Sequence, residues 1–229
     1  MYIIPKTKFS FVYFVFKYAR LERMTIKILE VGAYGANCIF LWDSSRQAVA
    51  VDPGADADDI ERVLHENQLT LSGIWLTHGH IDHISALPDL LKKYPVPVFM
   101  HATDAAWAFT PINQIPPYPP VFEKPKTLSF VEDGTLLKIG SIDAKVLHTP
   151  GHTPGCVCYY IESEKLSLTG DTLFQGSVGR TDLHGGSMPT LQQSLHRLMT
   201  LPEATRVIPG HGPSTTIGSE KRLNPFLEK

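Results

Sequence analysis

Cysteine is scarce in this chain of 229 residues: Cys38, Cys156 and Cys158 are all it has. Three is too few, and an odd number, for a disulfide framework, so the chain is expected in a reducing, cytoplasmic setting. Cys156 and Cys158 lie two apart in an apolar run. A strand would turn both to one face, where they serve as small buried hydrophobes. An excess of charge of either sign is missing too. Lys and Arg total 21 against 23 Asp and Glu, a formal net charge of −2. Without a basic field or a Lys/Arg cluster to attract a phosphate backbone, nucleic acid is not an expected partner. Long hydrophobic runs are also missing. The aromatic run at residues 9–16 falls far short of the roughly 20 apolar residues that span a bilayer, so no membrane partner is expected. No Gly-x-Ser-x-Gly elbow offers a serine nucleophile. No low-complexity linker or short repeat divides the chain, and nothing in it specifies an oligomeric state.

Residues 1–23 read as an N-terminal extension outside the core. Lys6, Lys8 and Lys17 flank the aromatic run, but no small-x-small cleavage site follows it. Met24 then stands directly before a strand-like pattern, as an internal start would. The domain is expected over residues 24–229.

What the chain does have is a mixture of short β-branched runs and amphipathic helices, an α/β (α+β) pattern of about ten strands and three or four helices. The strand-like runs fall at residues 26–31, 38–42, 48–51, 74–77, 98–100, 144–147, 157–161, 166–169 and 207–208, punctuated by Gly, Pro, Asn and Asp. Asp56 is placed to cap a helix carrying Ile60, Val63 and Leu64. Ser85 is placed to cap another through Leu91, with Pro88 in its first turn. Leu191, Leu195, Leu198 and Met199 mark a third, over residues 190–201. Between Thr110 and Pro125 stand six prolines, a stiff irregular connection read as structural before it is read as a substrate rim.

The densest chemistry is His78-Gly-His80-Ile-Asp82-His83, where an apolar strand runs into three His and one Asp within six residues. A single His there would be an ordinary core or surface residue. Four potential donors at one strand end are costly unless something fills them, and imidazole and carboxylate are the usual ligands of Zn²⁺ and its first-row relatives. Three later strand ends add His152 in His148-Thr-Pro-Gly-His152, Asp171 in Gly170-Asp-Thr172, and His211 in Pro209-Gly-His-Gly-Pro213. Each is a weak signal alone, but together they make seven donors from four loops. Asp52, in Val51-Asp-Pro-Gly54, ends a strand as well; it reads either as a turn residue or as an acid that fixes a ligating imidazole.

The ordered set His78, His80, Asp82, His83, His152, Asp171 and His211 resembles the signature of the metallo-β-lactamase superfamily, over residues 25–227. Gly170-Asp-Thr-Leu-Phe174, Gly176-Ser-Val-Gly-Arg180-Thr-Asp182, and the tail through Glu220-Lys-Arg-Leu-Asn-Pro-Phe226 resemble its short bacterial glyoxalase II-like (hydroxyacylglutathione hydrolase-like) branch. The resemblance implies a four-layer αββα sandwich. It implies two divalent metal ions, zinc first, with iron or manganese as alternatives. His78, His80 and His152 would hold one ion, Asp82, His83 and His211 the other, and Asp171 would bridge them. Asp82 and Asp171 are then the catalytic carboxylates, and the small-molecule substrate is an S-(2-hydroxyacyl)glutathione-type thioester, attacked by a bridging hydroxide. Longer glyoxalase II enzymes carry a C-terminal helical domain that binds glutathione carboxylates. This chain ends 18 residues after His211, which leaves Arg180, Lys221 and Arg222 as basic candidates, each also readable as a solvated charge.

Rival readings lie within the same superfamily. A persulfide dioxygenase would use one iron held by His78, His152 and Asp171, and such enzymes also carry a Gly-Arg-Thr-Asp segment. A β-lactamase shares the ligands. A non-catalytic scaffold would be expected to have lost a ligand, and all seven are present. Flavodiiron reductases put a carboxylate where His80 stands.

Overall fold

A computed structural model describes residues 24–227, so the extension expected at residues 1–23 lies outside the described residues. Two six-stranded mixed sheets form the middle of the molecule. The first runs in order from β1 (Thr25–Val31) through β2 (Ala36–Trp42), β3 (Gln47–Val51), β4 (Thr70–Trp75) and β5 (Val98–His101) to β6 (Leu128–Val131). β1 to β3 are antiparallel, and β3 to β6 pair in parallel. The second sheet contains β7 (Leu136–Ile139), β8 (Ile142–His148), β9 (Val157–Ile161) and β10 (Leu166–Gly170). A small hairpin of β11 (Leu173–Phe174) and β12 (Ser177–Val178) follows, and then β13 (Arg206–Pro209) and β14 (Thr215–Thr216) complete the sheet in the order β14-β13-β10-β9-β8-β7.

Helices α1 (Ala57–Glu66), α2 (Ile81–Ile84), α3 (Leu87–Lys93) and α4 (Ala102–Ala105) connect strands of the first sheet; α5 (Met188–Leu198) and α6 (Ile217–Leu223) belong to the second. Alternation along the strands divides the interior into three cores. In β2 every residue is buried. Cys38, Phe40 and Trp42 pack with Ile60, Leu64, Leu87 and Leu90 beneath the helices, whereas Ile39 and Leu41 face the other sheet. In β9, Val157, Tyr159 and Ile161 meet them from across the gap, while Cys158 and Tyr160 pack with Leu191, Leu195 and Leu198 of α5. The result is the four-layer αββα sandwich. All three cysteines are free and buried, and burial pushes each thiol up, Cys158 to about 11. Among the described residues no helix is long and apolar enough to cross a membrane.

Several local expectations need correcting. There are fourteen strands and six α-helices among the described residues, more than the patterns indicate. β6 and β7 are edge strands with exposed alternate positions, and β11, β12 and β14 have two residues each, too few for any periodicity. Asp56 does precede α1, but its backbone is left-handed and its carboxylate caps nothing. It accepts instead from Gly32 N at 2.8 Å, tying α1 to the β1–β2 turn. Ser85 ends α2 instead of starting α3, with its hydroxyl donating to Ile81 O; Pro88 does sit in the first turn of α3. The third helix begins after Ser187, whose hydroxyl accepts from Thr190 N. The proline-rich stretch is irregular apart from a short 3₁₀ turn at Pro111–Asn113.

Candidate metal centre

Strand ends from both sheets deliver the donors. β4 runs out into His78 and His80, and α2, which follows at once, carries Asp82 and His83 on a single turn. His152 lies in the loop after β8, Asp171 directly follows β10, and His211 directly follows β13. All seven candidate ligands therefore sit at one end of the sandwich, and all but the half-buried His211 are buried. The backbone there is tightly fitted: a Cβ at Gly210 would overlap Asp171 Oδ1.

Hydrogen bonds fix which ring nitrogens face inward. His83 Nδ1 meets Asp52 Oδ2 at 3.1 Å, His211 Nδ1 meets Tyr34 O at 3.0 Å, and His152 Nδ1 meets Arg180 O at 2.7 Å. Each contact requires the proton on Nδ1 and leaves a lone pair on Nε2. These Nε2 atoms converge with the remaining donors into two groups, His78–His80–His152 and Asp82–His83–His211. The carboxylate of Asp171 stands between them, with Oδ1 3.5 Å from His83 Nε2 and Oδ2 3.5 Å from His152 Nε2. A third possible grouping, Asp52–His78–His83, also has close donors. We discount it because Asp52 is already used: Oδ1 accepts from Thr77 N at 2.7 Å and Oδ2 from Thr77 Oγ1 at 2.6 Å, besides His83.

The electrostatics ask for a cation. Buried His78 Nε2 and Asp171 Oδ1 have no hydrogen-bond partner, a costly state for atoms withdrawn from water. His83 Nε2 and His211 Nε2 lie 3.2 Å apart, close to the separation of about 3.3 Å expected for two nitrogens bound tetrahedrally at 2.0–2.1 Å. Burial alone would lower His83, yet Asp82 and Asp171 outweigh it and hold the ring up at about 10. His211 is raised as well: burial opposes this, but Asp82 and Asp171 prevail. Asp82 is held well below the usual carboxylate range, burial notwithstanding, by His83 and His211. In the other group burial, reinforced by neighbouring imidazoles, lowers His78 strongly and His80 to about 3. Those rings are neutral, as a metal ligand must be. The donor set thus fits divalent ions.

A cavity of about 400 Å³ opens onto both groups, lined by His80, Asp82, His152, Asp171 and His211 and walled by Tyr34, Ile115, Leu183 and Arg180. Ile115 brings the proline-rich stretch to the rim. Of the basic candidates only Arg180 lines the cavity, and its guanidinium is doubly bonded to Asp182, at 2.6 and 2.7 Å. Lys221 and Arg222 are exposed on α6, where Arg222 faces Glu203 at 3.7 Å. The tail acts through other residues. Buried Glu220 accepts from Gly176 N and Thr215 Oγ1, and Asn224 donates to Ser177 O, pinning the β11–β12 hairpin that leads to Arg180.

Two further buried polar residues, absent from the motifs, hold the loops. Asn37 N donates to Gly210 O at 2.7 Å, and its side chain donates to Pro209 O and Gly212 O, gripping the His211 turn from both sides. Asp104 of α4 accepts from Gly79 N, Thr153 Oγ1, Gly155 N and Trp107 Nε1. Neither belongs to a short motif of ligating residues.

The model of the metallo-β-lactamase superfamily matches residues 31–211. The chain belongs to that superfamily. It is 42% identical over 203 residues to the probable metallo-hydrolase YqgX of Bacillus subtilis, covering 87% of this chain and 95% of that one. It is 36% identical over 211 residues to hydroxyacylglutathione hydrolase GloC of Haemophilus influenzae, covering 89% and 98%. Among solved structures it resembles BLEG-1 B3 metallo-β-lactamase (39% identity, TM-score 0.84, covering 90% and 100%). It also resembles TTHA1623 in a di-iron-bound form (35%, 0.79, covering 88% and 100%), and ETHE1 from Myxococcus xanthus (30%, 0.72, covering 88% and 83%). This superfamily member is therefore similar to proteins whose names carry different activities.

Proposed function

We propose that this superfamily enzyme hydrolyses small thioesters of the S-(2-hydroxyacyl)glutathione type, with two divalent ions, zinc foremost. His78, His80 and His152 would hold one ion, Asp82, His83 and His211 the other, with Asp171 placed between the two groups. The observation that carries the two-ion reading is the convergence of two complete donor groups on either side of Asp171. The likeness to GloC supports the thioester. The ions, when bound, supply a hydroxide at neutral pH and stabilise the charge that develops on the carbonyl oxygen. The chain's own part is orientation. Asp52, Tyr34 O and Arg180 O hold the rings of His83, His211 and His152 in the ligating tautomer. Ile115, Leu183 and the Tyr34 ring form an apolar wall that seats the acyl chain and excludes water.

One rival draws on a specific likeness. ETHE1 is 30% identical, and a mononuclear iron enzyme would need only His78, His152 and Asp171. The completeness of the Asp82–His83–His211 group argues against a single ion. Purified chain assayed for metal content, S-lactoylglutathione hydrolysis, β-lactam hydrolysis and oxygen uptake with glutathione persulfide separates these readings. Two metals and thioester turnover are expected. One iron with oxygen uptake, or turnover of β-lactam alone, would displace the proposal.

A further inference from the structure

We infer that Asp104 is a positioning residue of the ion site formed by His78, His80 and His152, an inference that rests on the two-ion reading above. Asp104 is fully buried, on the four-residue helix α4 that follows β5. It touches no candidate ligand's donor atom. Its carboxylate instead collects donors from both loops that carry this site. Oδ2 accepts from Gly79 N at 2.8 Å, between His78 and His80, and from Thr153 Oγ1 at 2.7 Å, next to His152. Oδ1 accepts from Gly155 N at 2.6 Å and from Trp107 Nε1 at 3.3 Å.

The local sequence is shaped to allow this approach. A Cβ at Gly155 would stand 2.5 Å from Asp104 Oδ1, and one at Gly79 would stand 2.8 Å from Ala108 Cβ, so both loop positions need glycine to reach α4. One carboxylate with four donors thus bridges the loops around Gly79 and Gly155, which are distant in sequence and carry the three imidazoles of one group. The supports of the other group do not involve Asp104: Asp52 serves His83, and also reaches His78 through Thr77, while Asn37 with Tyr34 O serves His211. Losing Asp104 should accordingly impair one ion site and spare the other. Trp107 makes the effect visible. Its indole is bonded to Asp104 and lies edge-on to the His80 ring, 5.4 Å between centroids, so its fluorescence should respond to an ion at that site.

The test uses the full chain, zinc, and competition with a chelator. Wild type should hold two zinc ions per chain, and zinc addition to the stripped protein should change an emission that Trp107→Phe removes. Asp104→Asn places an amide NH₂ against N–H and O–H donors, so it should retain one ion, bind the second at least tenfold more weakly, and lose the Trp107 response. Thr153→Val removes a single donor at nearly constant volume and should weaken one ion by about tenfold; it decides the matter if Asp104→Asn does not fold. Asp43→Ala is the control for stability. Asp43 follows the far end of β2 from Ala36, whose backbone pairs with His211, a distance of about 20 Å by strand rise. It should keep both ions. Two ions of unchanged affinity in both Asp104→Asn and Thr153→Val would overturn the inference. So would loss of an ion in Asp43→Ala, since the effect would then follow stability alone. Wild type holding no divalent ion would instead sink the two-ion reading itself.

Discussion

His83 Nε2 faces His211 Nε2 across 3.2 Å, and each ring has already committed its Nδ1 proton, one to Asp52 and the other to Tyr34 O. Two lone pairs so placed repel unless a cation or a proton lies between them. Burial opposes a charge on His83, but the carboxylates of Asp82 and Asp171 prevail and hold the ring up at about 10, so the site favours positive charge there. A divalent ion held by the two Nε2 atoms would meet the same need. Tautomer control by groups outside the ligand set therefore governs the site as much as the ligands themselves.

Asp171 is expected to matter to both donor groups, since its two oxygens approach His83 and His152 separately. Asp171→Ala should lower bound metal from two ions to fewer than one and abolish thioester hydrolysis, while α and β content persists. Elemental analysis beside an S-lactoylglutathione assay checks this. A variant that keeps both ions and turns over would remove Asp171 from its bridging place.

Asp52→Asn should act on both ions unequally, because Asp52 bonds His83 Nδ1 directly and reaches His78 Nδ1 only through Thr77 Oγ1, 3.1 Å from that ring. The amide cannot serve Thr77 N, Thr77 Oγ1 and His83 Nδ1 as the carboxylate does. Affinity for the ion at Asp82–His83–His211 should drop by roughly 10- to 100-fold, with the other ion weakened by less. Titration of the stripped variant with zinc reads the two steps separately, and equal weakening of both would contradict the assignment.

The donors of this centre were legible in the sequence because they are dense: four in six residues, then three more at Gly- or Pro-flanked strand ends. Asp52 was legible as a choice between turn and support, and in the fold it bonds Thr77 and His83. Asn37 and Asp104 were not legible. Each is a single polar residue whose partners lie far away in sequence, so only the fold brings Gly210 to Asn37 or Gly155 to Asp104. The same limit applies to the strands. β2 and β9 announced themselves as continuous apolar runs because both faces are covered. β6 and β7, at the sheet edges, carry exposed Phe130 and Leu136 and are not among the apolar runs. The basic residues of the tail drew attention by their charge, yet Glu220 and Asn224 beside them make the buried bonds.

Arg180 offers a test that separates a side chain from its own backbone. The carbonyl holds His152, whereas the guanidinium lines the cavity and is exposed, bonded to Asp182. Arg180→Ala keeps the carbonyl. Metal content and kcat should be unchanged, and KM for a glutathione thioester should rise only a few-fold, since an exposed ionic contact contributes little. KM for an uncharged thioester should not move. A large fall in kcat would mean that the side chain acts on the reacting atoms.

Asp43 carries the acid-stability prediction. Buried after β2, it accepts from Ser45 N, Ser141 N and Ser141 Oγ, each at 2.9 Å, and so joins the first sheet to the β7–β8 turn of the second. Burial by itself would raise its pKa, but the donors of Ser141 and Ser45 prevail and hold it at about 2. A folded value below the unfolded one, near 3.9, means stabilisation that is complete above the unfolded value and lost as pH falls through about 2. Asp43→Ala leaves Ser45 N and Ser141 N without their acceptor, at a cost of roughly 2 kcal/mol, or a drop in Tm of about 4–8 °C for a domain of this size. Thermal melts of wild type and variant at pH 7 and at successively lower pH check both parts. The gap between them should be full at pH 7 and narrow below about pH 4; a gap that widens with acid would reverse the sign and refute the account.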